Sequence, residues 1–385
     1  MPEICLPYGS TEVFLNIKAE NLAEVIEPSL QKIDDRALYE KLNSIDVEQG
    51  SVVLLSDVTS ATLKALNSFI DLQTEKGRQE AIKIAVKKSH LKSVKRALEG
   101  KSVDLTTIGE PTEDAGIADG FQVKIPRVFS EHKRIIISEV SFDPLFGFGG
   151  GPVSFIKAVD PRLVAEAFKR RLDNNPNPGL DTNANWFASR VAEEAGEFTS
   201  IEVLNSRGEI CHVFLGNMID AHSGASKKLY ESARKDLKQP ASAIFVGLGD
   251  PSKSLALSSS IKYLWNVTSS LEKKGSVIFL AECSEGLGSQ SLKHYATGRL
   301  NLNELVKRGE YAEGLEDLIY LQNALQIYNI FLVSTLPNYY SGTKLGFRVA
   351  KKASDALDHV LRHHGRKVKL YVVTDVSNIL LTLSQ

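Results

Sequence analysis

The chain has 385 residues, 43% hydrophobic and 24% charged, a globular composition that excludes a disordered or low-complexity protein and allows two ordinary domains. A net charge of −1 excludes a broad nucleic-acid-binding surface, and the short basic run "RHHGRKVK" (362–369) reads as a helix end. Three widely spaced cysteines (Cys5, Cys211, Cys283) exclude a disulfide framework, and no apolar run approaches the ~18 residues of a membrane span, so the expectation is a cytoplasmic protein with no membrane partner.

In chain order, "EVFLNI" (12–17) reads as a strand, and "SVVLLSD" (51–57) is an apolar, β-branched strand ending at Asp57. "TSATLKALNSFIDLQTEKG" has helical spacing and a glycine stop. The strand "IKIAV" (82–86) precedes the helix "HLKSVKRALEGK" (90–101), and the strand "RIIISEVSF" (134–142) runs directly into a glycine cluster. "DPRLVAEAFKRRL" (160–172) is a helix with proline in its first turn, and "NANWFASRVAEEAG" is another. "FTSIEVLNSRGEICHVFLG" alternates on both sides of "SRG" and predicts a hairpin. Polar, helical "AHSGASKKLYESARKDLKQ" (221–239) leads to "QPAS" (239–242), which reads as a domain junction. The strands 243–249, 276–283, 329–335 and 367–375 then alternate with helical stretches. The fold class that follows is α/β with largely parallel, helix-covered sheets, and the junction divides the chain into 1–238 and 239–385. Such sheets place ligands beyond the carboxyl ends of their strands, which directs attention to Asp57, His90, Phe142–Gly151, Gly247–Asp250, Cys283–Gly288 and Asp375.

"GFGGG" (147–151) follows a strand, where backbone amides can converge on an anion and glycine admits positive φ. It lacks the Gly-Lys-Ser/Thr of a nucleotide P-loop, and its spacing with Pro152 next differs from a dinucleotide loop opening a helix; a tight turn and a ligand loop both remain open. Cys283 in "AECSEGLGS" (281–289) is either a nucleophile or a small buried residue. His90, between strand and helix, is either a general acid/base or a residue beside a helix cap. His359 and His363 have the one-turn spacing of metal ligands but no third ligand, and they suit a helix C-terminus. Cys211 and His212 point to opposite faces of a strand, so a shared metal is excluded.

Taken together these segments resemble the lactate racemase family. "YGSTEVFLNI…NLAEVIEP" is similar to its opening, "SDVTSA" to its Asp-x-Thr-Arg, and "IAVKKSH" to its strand ending in Gly-Thr-His. "DPLFGFGGGPVSF" resembles its Glu-Pro-His…Gly-Phe-Ser-Gly-Gly-x-Lys stretch, "GDPSKSLALSSSIK" its Gly-x-Pro…Tyr-Gln-x-x-Lys, and "AECSEGLGS" its Ala-Glu-Cys-x-Glu-Gly-x-Gly loop. The order is kept over almost the whole length, and the resemblance implies two α/β domains with a cleft between them. The resemblance implies an isomerase that racemises or epimerises a 2-hydroxy acid: a nickel pincer nucleotide takes hydride from the substrate while histidine takes the hydroxyl proton, and hydride then returns to the other face. It assigns His90 and Lys262 to catalysis. Asp57, Thr59, Gly147, Gly149, Gly150 and Gly151 fall to the cofactor, and Lys262, Ser259, Glu282 and Cys283 to a small carboxylate or hydroxy acid. The chain also departs from the pattern. Ser60 stands in place of arginine, Leu145 near a second acid/base histidine, Val153 in place of the lysine that carries the cofactor, and Ser258–Ser259 in place of Tyr-Gln; Lys157 lies one helical turn beyond Val153. "NNPNPGLDTN" resembles the segment that carries a nickel-binding histidine and contains none. The alternative reading is a non-catalytic relative that binds a small anion or nucleotide in the cleft.

Overall fold

A computed structural model describes residues 3–78, 82–130, 133–171 and 175–384. Two six-stranded sheets organise the chain. The first has the order Glu209–Asn217, Thr199–Ser206, Arg134–Glu139, Ser51–Leu55, Ile82–Val86, Asp104–Thr107, parallel except for the 199–217 hairpin. The second is parallel throughout: Arg348–Val349, Asn329–Val333, Leu271–Leu280, Ala241–Val246, Leu370–Val373, Leu22–Ile26. The central strands are buried along both faces, as in "SVVLL" and "AIFV", because helices cover each side. Among the described residues no helix is long and apolar enough to cross a membrane.

The two-domain α/β architecture read from the sequence is the one observed, with one reassignment. A boundary at 238/239 puts the whole N-terminal segment in the first unit. Leu22–Ile26 instead adds an edge strand to the second sheet, beside Leu370–Val373. The hairpin Glu3–Tyr8/Thr11–Asn16 follows it: Ile4, Leu6, Leu15 and Ile17 pack with Ala243, Phe245, Ile278 and Val372. Apolar strands satisfy the local pattern in either sheet, so only the packing distinguishes them. A second difference lies at 234–237. The helix predicted over 221–239 runs Met218–Ala233, and Arg234–Leu237 becomes a strand paired with Leu380–Leu383. The "SRG" hairpin forms as read, with Arg207 (φ 54) and Gly208 (φ 83) in the left-handed conformations a two-residue turn requires. The predicted helix 160–172 spans Pro161–Lys169 with Asp160 as its N-cap; residue 172 lies outside the described residues.

Each sheet reverses its winding direction beside its central strand. In the first, the reversal lies between the ends of Ser51–Leu55 and Arg134–Glu139. In the second it lies between the ends of Ala241–Val246 and Leu370–Val373. Parallel sheets open a crevice at such points, and here the two crevices face each other.

Candidate functional site

The floor of the cleft is a buried polar clamp between the units. Glu139 ends its strand against Lys253, 2.7 Å away, with both side chains under 5% exposed. Glu139 also accepts from Thr59 Oγ1 (2.6 Å) and Asn205 Nδ2 (3.0 Å). Asn205 reaches Asp250 Oδ2 at 2.7 Å, Ser60 Oγ donates to Asp250 Oδ1 at 2.8 Å, and Lys253 donates to Ser377 Oγ at 3.1 Å. Burial pulls Lys253 toward its neutral form, but Glu139, Tyr263, Asp375 and Asp250 outweigh it and hold the ammonium charged. Thr59 therefore serves two structural ends: it caps the Ser60–Glu75 helix and ties the first unit to this clamp. Ser60, where the resemblance expected arginine, is a clamp residue too.

Above the floor, side chains from both units share one electrostatic field. Asp57 follows its strand and accepts from Ser154 Oγ at 2.5 Å and Ser56 Oγ at 3.3 Å. Its charge acts on Lys87 and His90 of the same unit and on Lys262 of the other. Burial, then Lys87, pushes the His90 imidazolium down, so the ring is neutral at neutral pH, and its buried Nδ1 has no hydrogen-bond partner among the described residues. Burial likewise lowers Lys87, which makes no hydrogen bond or ion pair among the described residues. Lys262 is half-buried and lies 4.8 Å from the Tyr263 ring centre, without a carboxylate at ion-pair distance among the described residues. Burial opposes its charge; Tyr263, Asp143 and Asp57 overcome that and keep it protonated.

Lys157, by contrast, is committed. It bonds Asp143 Oδ2 at 2.6 Å, while Asp143 Oδ1 takes the amides of Leu145 and Phe146, 2.9 Å each. Despite its burial, Asp143 is held below the usual carboxylate range by Lys157 and Phe146. From the second unit Glu316 and Asp317 approach this pair; burial pushes both carboxyls up, and Asp317 accepts from Trp265 Nε1 at 2.9 Å.

The glycine run answers to different demands. A helix, Gly151–Val159, opens on it with Pro152 in the first turn. The Gly151 amide donates to Ser138 Oγ (3.0 Å) and to Glu202 Oε2 (3.1 Å). The acceptor seated at this helix start is thus the protein's own buried Glu202 carboxyl group. Side chains at these positions would strike the first unit itself: a Cβ on Gly147 would lie 1.7 Å from Leu180 O, on Gly150 2.7 Å from Val140 Cγ2, and on Gly151 2.8 Å from His222 Cβ. Gly147, Gly150 and Gly151 also have positive φ, whereas Gly149 does not and would meet Ser141 Oγ at 3.3 Å. Gly147→Ala is therefore expected to cost about 3 kcal/mol or more, and Gly149→Ala about 1 kcal/mol or less, in chemical denaturation; equal costs would contradict this packing account.

The remaining predicted residues separate from the cluster. Ser259 Oγ is spent on the helix start at Ala256, receiving its amide at 3.2 Å and donating to its carbonyl at 2.8 Å. The Glu282 carboxylate lies against Gly9 in the N-terminal hairpin. Cys283 is buried in a left-handed conformation (φ 56), and burial pushes its thiol up to about 12, which argues against nucleophilic use. Leu145 and Val153 are core residues, 2% and 0% exposed. Arg348 Nη1 donates to His359 Nε2 at 3.1 Å, since a guanidinium has no acceptor to offer. The structure therefore places His90 and Lys262 within electrostatic reach of Asp57, and with them Lys87, which sequence reasoning passed over. Its signal was present: the first polar residue after a buried strand belongs to the strand-end positions that face a ligand. Glu139 and Glu202 were also legible as charges inside apolar strands, where a buried carboxylate must find partners.

No family model and no curated protein matches the chain. Solved structures do. The lactate racemase apoprotein from Thermoanaerobacterium thermosaccharolyticum is similar over 99% of this chain and 100% of its own, at 15% identity and a TM-score of 0.79. A protein from Thermotoga maritima solved by the Northeast Structural Genomics Consortium is similar over 91% of this chain and 97% of its own, at 11% identity and a TM-score of 0.64. At such low identity a likeness of this extent establishes architecture: the chain has the fold of the lactate racemase apoprotein from end to end.

Proposed function

We propose that the cleft binds a small carboxylate of the hydroxy acid class. Lys262 from the second unit and Lys87 from the first supply the counter-charge, and neutral His90 accepts the hydroxyl hydrogen bond. The observation that carries this reading is a pair of cationic side chains, one from each unit, that make no ion pair among the described residues and share the field of Asp57. The hydrogen bonds from Ser154 and Ser56 reduce the repulsion Asp57 would exert on an incoming anion.

The fold similarity suggests, in addition, a lysine-linked pyridinium group carrying nickel. The residues here do not fit it. Val153 is wholly buried in the core, and Lys157 is held by Asp143. No step is derived through that group. Hydride removal and return at a hydroxy acid carbon is favoured by the shared fold alone, so anion binding is the reading we prefer over a racemase. Titration calorimetry with L- and D-lactate tests it. Lys262→Ala should weaken binding ~10–100-fold, the worth of a charge-assisted contact. Chiral chromatography of the same mixtures decides between the readings: interconversion of the enantiomers by nickel-loaded protein would restore the racemase, and no binding of either enantiomer would end the proposal.

A further inference from the structure

A second cavity lies at the other end of the second sheet. It has a volume of about 810 Å³ and is lined where the strands Leu22–Ile26, Ala241–Val246 and Leu370–Val373 begin. The cleft is reached where these strands end, about 20 Å away along a strand of this length. Its wall is the segment Gly365–Lys369, the basic run whose charge the cleft does not use. Arg366, Lys367 and Lys369 line it together with His364, and no aspartate or glutamate does. Acidic groups on the neighbouring elements are engaged: Glu272 faces His364 Nδ1 at 3.8 Å, Glu24 pairs with Lys235 at 2.9 Å, and Glu20 lies 4.0 Å from Lys18 Nζ. The ring of His364 is occupied as well, with Nε2 2.9 Å from Ser276 Oγ. Arg366, Lys367 and Lys369 are exposed and make no ion pair among the described residues.

The backbone of this wall is fixed. Asn21, 2% exposed, donates from Nδ2 to the carbonyls of Arg366 (2.7 Å) and Val368 (3.0 Å). Val368 is anchored in the core beside Leu370 and Val372. Gly365–Val368 forms a hydrogen-bonded turn (Val368 N to Gly365 O, 3.1 Å), and with Val368 buried its neighbours Lys367 and Lys369 are both exposed. Three cations are thus held around a cavity whose size falls within the ~300–1,000 Å³ of small-molecule sites. Like charges gathered without counter-charges repel one another, and a multiply charged anion relieves that repulsion. Arg366 adds the planar fork that matches phosphate oxygens, and Pro240 and Tyr371 offer an apolar wall to whatever the phosphates are attached to.

We propose that this cavity binds a small di- or triphosphate anion, at a site separate from the hydroxy acid cleft. The test is calorimetry on the full chain with inorganic pyrophosphate and ATP as probes and citrate as a carboxylate of similar charge. The expected result is one-to-one binding of pyrophosphate and ATP that weakens as salt rises. The surface triple variant Arg366→Ala/Lys367→Ala/Lys369→Ala should weaken it at least ~10-fold with an unchanged denaturation midpoint, and Lys262→Ala should leave it unaltered. Should the triple variant misfold, the single reversal Lys367→Glu carries the same expectation. Absence of binding, equal binding by the surface variant, or loss of binding in Lys262→Ala overturns the proposal. Citrate binding as tightly as pyrophosphate would overturn its phosphate class.

Discussion

Lys253→Met should lower the stability of the chain by about 3–5 kcal/mol, the cost of removing one partner from a buried ion pair. The reason is what stays behind. Glu139 would keep two donors, Thr59 and Asn205, but lose the only cation within ion-pair distance among the described residues, at a site where its side chain is 4% exposed. The double variant Lys253→Met/Glu139→Gln should recover more than half of the loss, because it removes the stranded charge while keeping an acceptor for Thr59. Denaturation midpoints of the four proteins of this cycle provide the measurement. Because the pair bridges the two units, hydrogen exchange in the single variant should also rise at the strand ends 139–141 and 247–253. A single-variant cost below about 1 kcal/mol would show that the clamp is not what holds the units together.

Glu202→Gln should have the opposite sign, and its effect should depend on pH. Glu202 is fully buried, and burial pushes its carboxyl from 4.5 up to about 7, against the opposing pull of Ser200, Ser138 and the Gly151 amide. Desolvation wins over three hydrogen bonds and a helix N-terminus. Folding therefore raises the proton affinity of this group, and its stabilising contribution is complete below pH 4.5. That contribution is lost as pH rises from about 4.5 to about 7, amounting to about 3 kcal/mol in all. Glutamine mimics the protonated acid, so the variant should match the wild type near pH 4.5 and exceed it by up to ~3 kcal/mol at pH 8. His222 packs on the same glycine and is pushed down to about 4 by burial, so it stays neutral across this window; Asp57 acts on Glu202 as a further negative charge. His222 costs both proteins the same stability toward acid, and the difference between their pH profiles isolates Glu202. A pH-independent difference would contradict the assignment.

These two carboxylates show where the reading of the sequence stopped. A strand such as "RIIISE" advertises itself by its apolar run, and "SIEVL" by alternation, yet neither says what its glutamate meets. The glycine run is the sharper case. Three glycines after a strand read equally well as a cradle for an external phosphate and as the seat of an internal carboxylate, because both need bare backbone and an exposed amide. Glu202 lies fifty residues on and enters the same space only once its strand has paired beside Arg134–Glu139. Departures at Val153 and Leu145 were visible in the sequence, and their burial now gives them a physical role as core. Lys87, between a strand and His90, stayed unremarkable until the structure showed that it makes no ion pair among the described residues.

The sequence by itself determined the alternation of strand and helix, the parallel sheets, the turn at Arg207–Gly208 and the strand ends that Asp57 and His90 follow. Those features are written in short windows, through apolar periodicity and the φ freedom of particular residues. Tertiary structure alone decided that Leu22–Ile26 joins the second sheet, that Glu202 fills the glycine-lined helix start, and which cations remain unpaired. Such choices are competitions among groups distant in sequence for the same partner, and burial settles them only when the whole chain has packed.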